Sequence, residues 1–200
     1  MTTCRFSFAT DACCRKRCVF AERSGFLMIQ TGSMLLYGNQ VCRVCQQKEE
    51  VFHGTRRNYY LLQPIYDTSS LIHVPADNPK LMGKMRQILS PDEIYQLIQQ
   101  IPKQETLWIA DDRQRSDAWK EILSTGDRQK LVGMIKTLYE KKQEIEAAGR
   151  KFHTADENAL RQAEQMIHDE FALVLDIQRD QVAPFIARQI EIQEKSEVQE

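Results

Sequence analysis

Between Ser33 and Pro75 the chain reads SMLLYGNQVCRVCQQKEEVFHGTRRNYYLLQPIYDTSSLIHVP, a series of short apolar runs separated by turn chemistry. The runs are Met34 to Tyr37, Val41 to Cys45, Tyr59 to Leu62 and Leu71 to Val74; the breaks are Gly38-Asn39, His53-Gly54 and Asp67 to Ser70. Branched and aromatic side chains fit a pleated surface, and small polar residues accept turn dihedrals, so this pattern favours strands. Runs this short, with Pro64 behind the third, predict a compact antiparallel sheet or small barrel as a first module over residues 28–77. A small sheet has edges. Val41–Cys45 and Leu71–Val74 offer one that a strand from another protein can extend, unless the rest of the chain covers it.

Past Pro75 the period changes. Residues 78–89 read as a linker, and from Ser90 apolar residues recur every three or four positions, which gathers them on one helical face. Ser90-Pro-Asp-Glu93 is a capping box, with Pro91 at the first helical position and acids at the positive helix end. Ile94, Leu97, Ile98 and Ile101 form the buried face of that helix, and Pro102 stops it. A second helix is expected from Asp112 to Ser124, with Trp119, Ile122 and Leu123 on one side and Gly126 closing it. Asp127 caps a third, in which Leu131, Met134, Ile135, Leu138 and Ile145 face one way until Gly149. Thr154-Ala-Asp-Glu157 reads as a second capping box, opening a helix whose stripe is Leu160, Ala163, Ile167, Phe171, Val174 and Leu175. Residues 90–177 thus form an all-helical domain, and 178–200, polar and interrupted by Pro184, read as a tail with a short helix. The fold class is α+β.

Twenty-seven basic against 28 acidic side chains leave a net charge of −1, so nucleic-acid binding has to come from a local patch. No uncharged run approaches the roughly 20 apolar residues of a membrane span. Residues 1–27 hold Cys4, Cys13, Cys14 and Cys18 but no apolar core of a secretory signal, and read as an extension, either a misassigned start or disordered. Six cysteines without a secretory signal fit reduced thiols in the cytoplasm. Cys42 and Cys45 are spaced as a C-x2-C pair, but strand alternation sends them to opposite faces, so they read as packed thiols and not as metal ligands.

His53, His73, His153 and His168 are scattered without ligand or catalytic partners, and neither a G-x-S-x-G, a phosphate-cradling glycine loop nor an H-E-x-x-H occurs. The expectation is a protein that is not an enzyme, with no metal, no cofactor and no small-molecule substrate. Arg113, Arg115, Lys120, Arg128 and Lys130 cluster around the second helix and the start of the third, interleaved with Trp108 and Trp119. Cations there can neutralise phosphates and an aromatic ring can wedge against a base step. The interleaved Asp111, Asp112, Asp117 and Glu121 support the competing reading, a solvated face laced with ion pairs and Trp119 in the core.

Tyr37-Gly-Asn-Gln-Val-Cys-Arg-Val44, Tyr59-Tyr-Leu-Leu-Gln-Pro64, Val74-Pro-Ala-Asp-Asn78 and Lys84-Met-Arg86 resemble, in that order, segments of the CarD family of bacterial transcription regulators, with a Firmicutes-like character. The similarity continues through Ser124-Thr-Gly-Asp127, Thr137-Leu-Tyr139 and Asp156-Glu157 to Phe171-Ala-Leu-Val-Leu175, covering about residues 28–177. The resemblance implies a Tudor-like N-terminal module that binds the RNA polymerase β subunit. Its contact residues would be Glu50, Val51, Phe52, His73, Val74 and Pro75, with Glu50 and His73 standing where relatives carry arginines. It also implies that the helical domain touches promoter DNA and stabilises the open complex. Trp108 fills the wedge position if four residues are inserted ahead of Gly126, with Arg113, Arg115, Lys120, Arg128 and Lys130 as the nearby cations. The expected protein is a cytoplasmic monomer drawn to the nucleoid through polymerase, with no membrane association. The alternative is an adaptor that binds polymerase or another partner without DNA.

Overall fold

The computed structural model describes residues 29–52 and 55–197; the extension with its four cysteines, and His53, lie outside the described residues. Strands β1 (Met34–Tyr37), β2 (Gln40–Phe52), β3 (Thr55–Pro64) and β4 (Ile72–Pro75) are followed by a one-turn helix α1 (Pro79–Met82) and a short strand β5 (Met85–Arg86). They form a five-stranded sheet of order β4-β3-β2-β1-β5, antiparallel at every pairing. Gly38 at φ 59° supplies the left-handed residue of the tight turn that sets Tyr37 opposite Gln40. Leu35, Cys42, Val44, Leu62, Val74 and Met85 point to one face and make the core of this module.

Three features of the sheet depart from the sequence expectation. Strand β2 does not end at Cys45 but continues, after a bulge between Val44 and Gln46, as a ribbon with β3 from Gln46↔Leu61 to Phe52↔Thr55. Gln46 to Glu50 and Arg56 to Asn58 are polar at successive positions, so the ribbon leaves no alternating signal. Val41–Cys45 is not an edge, because β1 pairs with β2 on one side and β3 on the other. Residues 78–89 are not a plain linker: Asn78 caps α1, and β5 closes the sheet against β1 through Leu36↔Arg86 and Tyr37↔Met85.

Helices α2 (Pro91–Gln100), α3 (Asp112–Thr125), α4 (Arg128–Ala147), α5 (Thr154–Leu175) and α6 (Arg179–Glu197) complete the chain. The Ser90–Glu93 capping box forms as read, with the serine amide donating to Glu93 at 2.7 Å and the Glu93 amide donating to the serine hydroxyl at 3.2 Å. Asp127 caps α4. The second expected box does not form: His153 caps α5, its Nδ1 accepting from the Ala155 amide at 3.3 Å, while Asp156 turns into the protein. The tail is a 19-residue helix, longer than expected. Val182 is fully buried, Phe185 meets Tyr95 edge-on at 5.9 Å, and Ile186 and Ile190 pack against the helical core. That packing outweighs the amide hydrogen bond forfeited at Pro184.

The helices have their own apolar core, built on Ile94, Ile98, Leu131, Leu138, Ile167 and Phe171, and it shares no buried residue with the sheet's. Polar ties connect the two. Arg86 of β5 donates from Nη1 to the carbonyls of Thr125 (3.1 Å) and Gly126 (2.5 Å) and from Nη2 to that of Gly38 (2.8 Å). Arg128 donates to Glu170 at 3.0 and 2.7 Å and to the Gln87 carbonyl at 2.5 Å, while the Leu89 amide donates to Glu170 at 2.8 Å. Gly126 ends α3 at φ 59°, and a Cβ there would run into the Arg86 guanidinium. Gly126→Ala is therefore expected to lose at least the ~1–2 kcal/mol of a left-handed alanine, with repulsion of Arg86 added. Chemical denaturation checks this, and a variant as stable as the parent refutes it.

Candidate functional site

Strand β4 is one edge of the sheet: it pairs with β3 alone, through Tyr59↔Pro75, Tyr60↔Val74, Leu61↔His73 and Leu62↔Ile72. Its outer backbone groups meet no strand among the described residues. Alternation along the strands sorts the expected contact residues into two faces. Val74 is fully buried in the sheet core and leaves the exposed set. His73 is exposed, Pro75 is half-buried, and both share the outer face with Tyr59, Leu61 and Arg57. Glu50, opposite Arg57, lies on the same face and pairs with Lys48 at 3.0 Å. Val51 points to the other face and is 67% exposed because the ribbon projects beyond the core. Phe52 occupies the last ladder position of β2, opposite Thr55.

Sequence reasoning passed over Tyr59, Leu61 and Arg57 as contact residues. Arg57 sits 3.4 Å from Asp77, and the two half-buried apolar side chains lie between that pair and His73. Their signal was the odd-numbered alternation of β3, visible only once the register with β4 is known.

On the helical side the five cations separate. Arg115 is 3% exposed and is not a surface cation. Its Nε lies 3.1 and 3.2 Å from the Asp156 oxygens, its Nη2 donates to Asp156 at 2.8 Å and to Asp112 at 2.7 Å, and its Nη1 donates to the Ile109 carbonyl at 2.9 Å. Hydrogen bonding to Asp156 raises its pKa further above the ordinary guanidinium value, against the opposing effect of burial. The Trp119 indole donates to the same carboxylate at 3.2 Å. Trp108 does not open the second helix, which starts at Asp112 behind the Asp111 cap; it lies half-buried against the core with the Arg115 guanidinium 4.2 Å over its ring. Arg128 is likewise committed, to Glu170 and Gln87. Arg113 and Lys130 are exposed, and Lys120 is exposed beside Asp117 at 3.1 Å. Leu107, 70% exposed, is held where its amide donates to Thr137 at 3.3 Å.

Two outcomes follow from this chemistry. Asp156→Ala leaves Arg115 and the Trp119 indole facing an empty site, and removing one partner of a buried ion pair costs about 3–5 kcal/mol; urea melts of the full chain measure the loss, and a variant within error of the parent contradicts it. Burial holds the pKa of His168 below its ordinary 6.5. The unfolded chain then binds a proton more readily than the folded one, so stability is complete above the ordinary value and falls as pH drops through the folded one. His168→Gln is expected to flatten that part of the stability curve, and an unchanged acid limb argues against it.

No protein-family model matches the chain, and no curated protein matches it.

Proposed function

We propose that the chain is a transcription regulator that binds the RNA polymerase β subunit through a Tudor-like sheet module and promoter DNA through its helices, stabilising the open complex without catalysing a reaction. The observation that carries the polymerase half is the open β4 edge, with His73 and Pro75 beside Tyr59 and Leu61 on the outer face. Backbone pairing at such an edge provides affinity and the flanking side chains provide selectivity. For DNA, the cations that remain exposed are Arg113 and Lys120 on α3 and Lys130 in the first turn of α4. Trp108 is half-buried with Arg115 over its ring, so phosphate binding is the stronger part of this half.

The second reading is an adaptor that binds polymerase or another partner and leaves DNA alone. What favours it is the internal use of Arg115 and Arg128 together with the net charge of −1.

Co-purification of RNA polymerase with the tagged full chain tests the first half. His73→Glu is expected to weaken the capture while leaving the melting temperature unchanged; capture by the parent that is indifferent to this change would remove β4 from the interface. For the second half, Arg113→Ala, Lys120→Ala and Lys130→Ala combined are expected to shorten open-complex lifetime. They are also expected to flatten the salt dependence of DNA binding, by about one in slope for each phosphate that is no longer neutralised. If lifetime and salt dependence are unmoved while polymerase capture persists, the adaptor reading replaces this one.

A further inference from the structure

The sheet and the helices are two apolar cores; Leu36, buried on the sheet's other face beside Leu131 and Ile167, and a set of charged side chains join them. Consecutive residues of α5 anchor both sets of ties. Glu170, 2% exposed, accepts from the Leu89 amide just before α2 and from Arg128 at the start of α4, and Arg128 in turn donates to the carbonyl of Gln87, the residue after β5. Asp169, 6% exposed, lies 2.7 Å from Arg179 of α6, and its carbonyl accepts from the Tyr66 hydroxyl at 3.1 Å, in the loop between β3 and β4. The Arg179 guanidinium stacks on the Tyr66 ring at 3.6 Å. Beside the Arg128–Glu170 pair, Arg86 takes carbonyls from the β1–β2 turn and from the end of α3 at once.

Ion pairs of this kind add little net stability over apolar packing of the same volume, because desolvation offsets their attraction. What they add is direction. A guanidinium satisfied by carbonyls of two different elements fits one relative placement of those elements, whereas an apolar contact tolerates sliding. The ties stand at different places along the joint, at Arg86 and Glu170 and at Tyr66, so rotation about any one of them is opposed by another.

We propose that Arg86, the Arg128–Glu170 pair and the Tyr66–Arg179–Asp169 cluster fix the angle between the sheet and the helices, so that the chain acts as a rigid bracket which transmits force from whatever holds the β4 edge to whatever the helices touch. The fixed angle stands on the geometry alone; the bracket's mechanical role rests on the function proposed above. In that role binding at the sheet and action at the helices are separable, and the joint is where they separate.

The test uses the full chain with azido side chains at Glu49 and Gln162, both exposed, carrying a dye pair for distance measurement. The parent is expected to give one narrow distance distribution. Arg86→Met combined with Tyr66→Phe is expected to broaden it, to leave polymerase capture intact and to shorten open-complex lifetime several-fold; either substitution alone serves if the double variant does not melt cooperatively. A folded variant with an undisturbed distance overturns the proposal. A broadened distance with capture and lifetime both unchanged overturns the bracket. If the parent itself captures no polymerase, the function proposed above fails and the bracket with it, while the broadening still supports the joint.

Discussion

Glu170 is a carboxylate at 2% exposure, and the fold is arranged around keeping it satisfied. An isolated buried charge costs several kcal/mol, so its oxygens have to find donors. The two nitrogens of Arg128 give it a bidentate partner, and the Leu89 amide gives it a third donor. Each of these has a consequence elsewhere. Arg128 also holds the Gln87 carbonyl, which fixes the segment leaving β5; Leu89 precedes the Ser90 cap, which fixes the entry of α2; and Arg128 follows the Asp127 cap, which fixes the start of α4. One carboxylate therefore ties together the end of the sheet module, the first long helix after it and the pair α4 and α5.

A second buried carboxylate, Asp156, does for α3 what Glu170 does for α4. It receives Arg115 and the Trp119 indole from one face of α3, and Arg115 in turn gathers the Ile109 carbonyl and the Trp108 ring from the segment before that helix. Both arginines follow the same logic. They satisfy carbonyls that would otherwise be left without donors beside helix starts, and in doing so they cease to be available to an outside partner. Some of the cations around α3 and the start of α4 are therefore structural, and those of them facing water are fewer than the linear sequence indicates.

That division was legible in part. In a helix residues four apart share a face, and Arg115 stands four before Trp119 and eight before Leu123, squarely on the apolar stripe of α3; Arg113 is turned half a revolution away. Arg128 similarly leads Leu131, Val132 and Ile135, and Asp156 leads Ala159, Leu160 and Ala163. A charge at the spacing of a buried face is the signal that separates Arg115 from Arg113; it does not separate Arg128 from Lys130, which stands four before Met134 and eight before Leu138, both buried, and is itself exposed. The caps at Ser90, Asp127 and Gly126 and the Gly38-Asn39 turn were legible because each depends on neighbours within a few residues. The ribbon of β2 and β3, the closing strand β5 and the length of α6 were not. They depend on a ladder between polar residues, a two-residue pairing and a distant core, none of which leaves a local period.

Besides the two-residue β5 that ends the sheet on one side, the ribbon and β4 present open edges, and they are not equally suited to pairing. Along the projecting ribbon β2 carries Lys48, Glu49 and Glu50 beyond a bulge at Cys45, and charge together with a bulge disfavours the approach of another strand. Strand β4 carries Ile72 and Val74 inward and neither Asp, Glu, Lys nor Arg within its four residues. It ends at Pro75, which has no amide to donate, and is followed by Asn78 and α1, so a ladder there is short by construction. A short ladder gives limited affinity and almost no selectivity, since every strand offers the same backbone. Any selectivity of pairing at this edge would reside in the side chains next to it, Tyr59, Leu61 and His73, whose placement depends on the register of β3 against β4. The register is in turn pinned from the inner face by Leu62 opposite Ile72 and Tyr60 opposite Val74, so the core pattern of the sheet determines which outer residues a strand on β4 would meet.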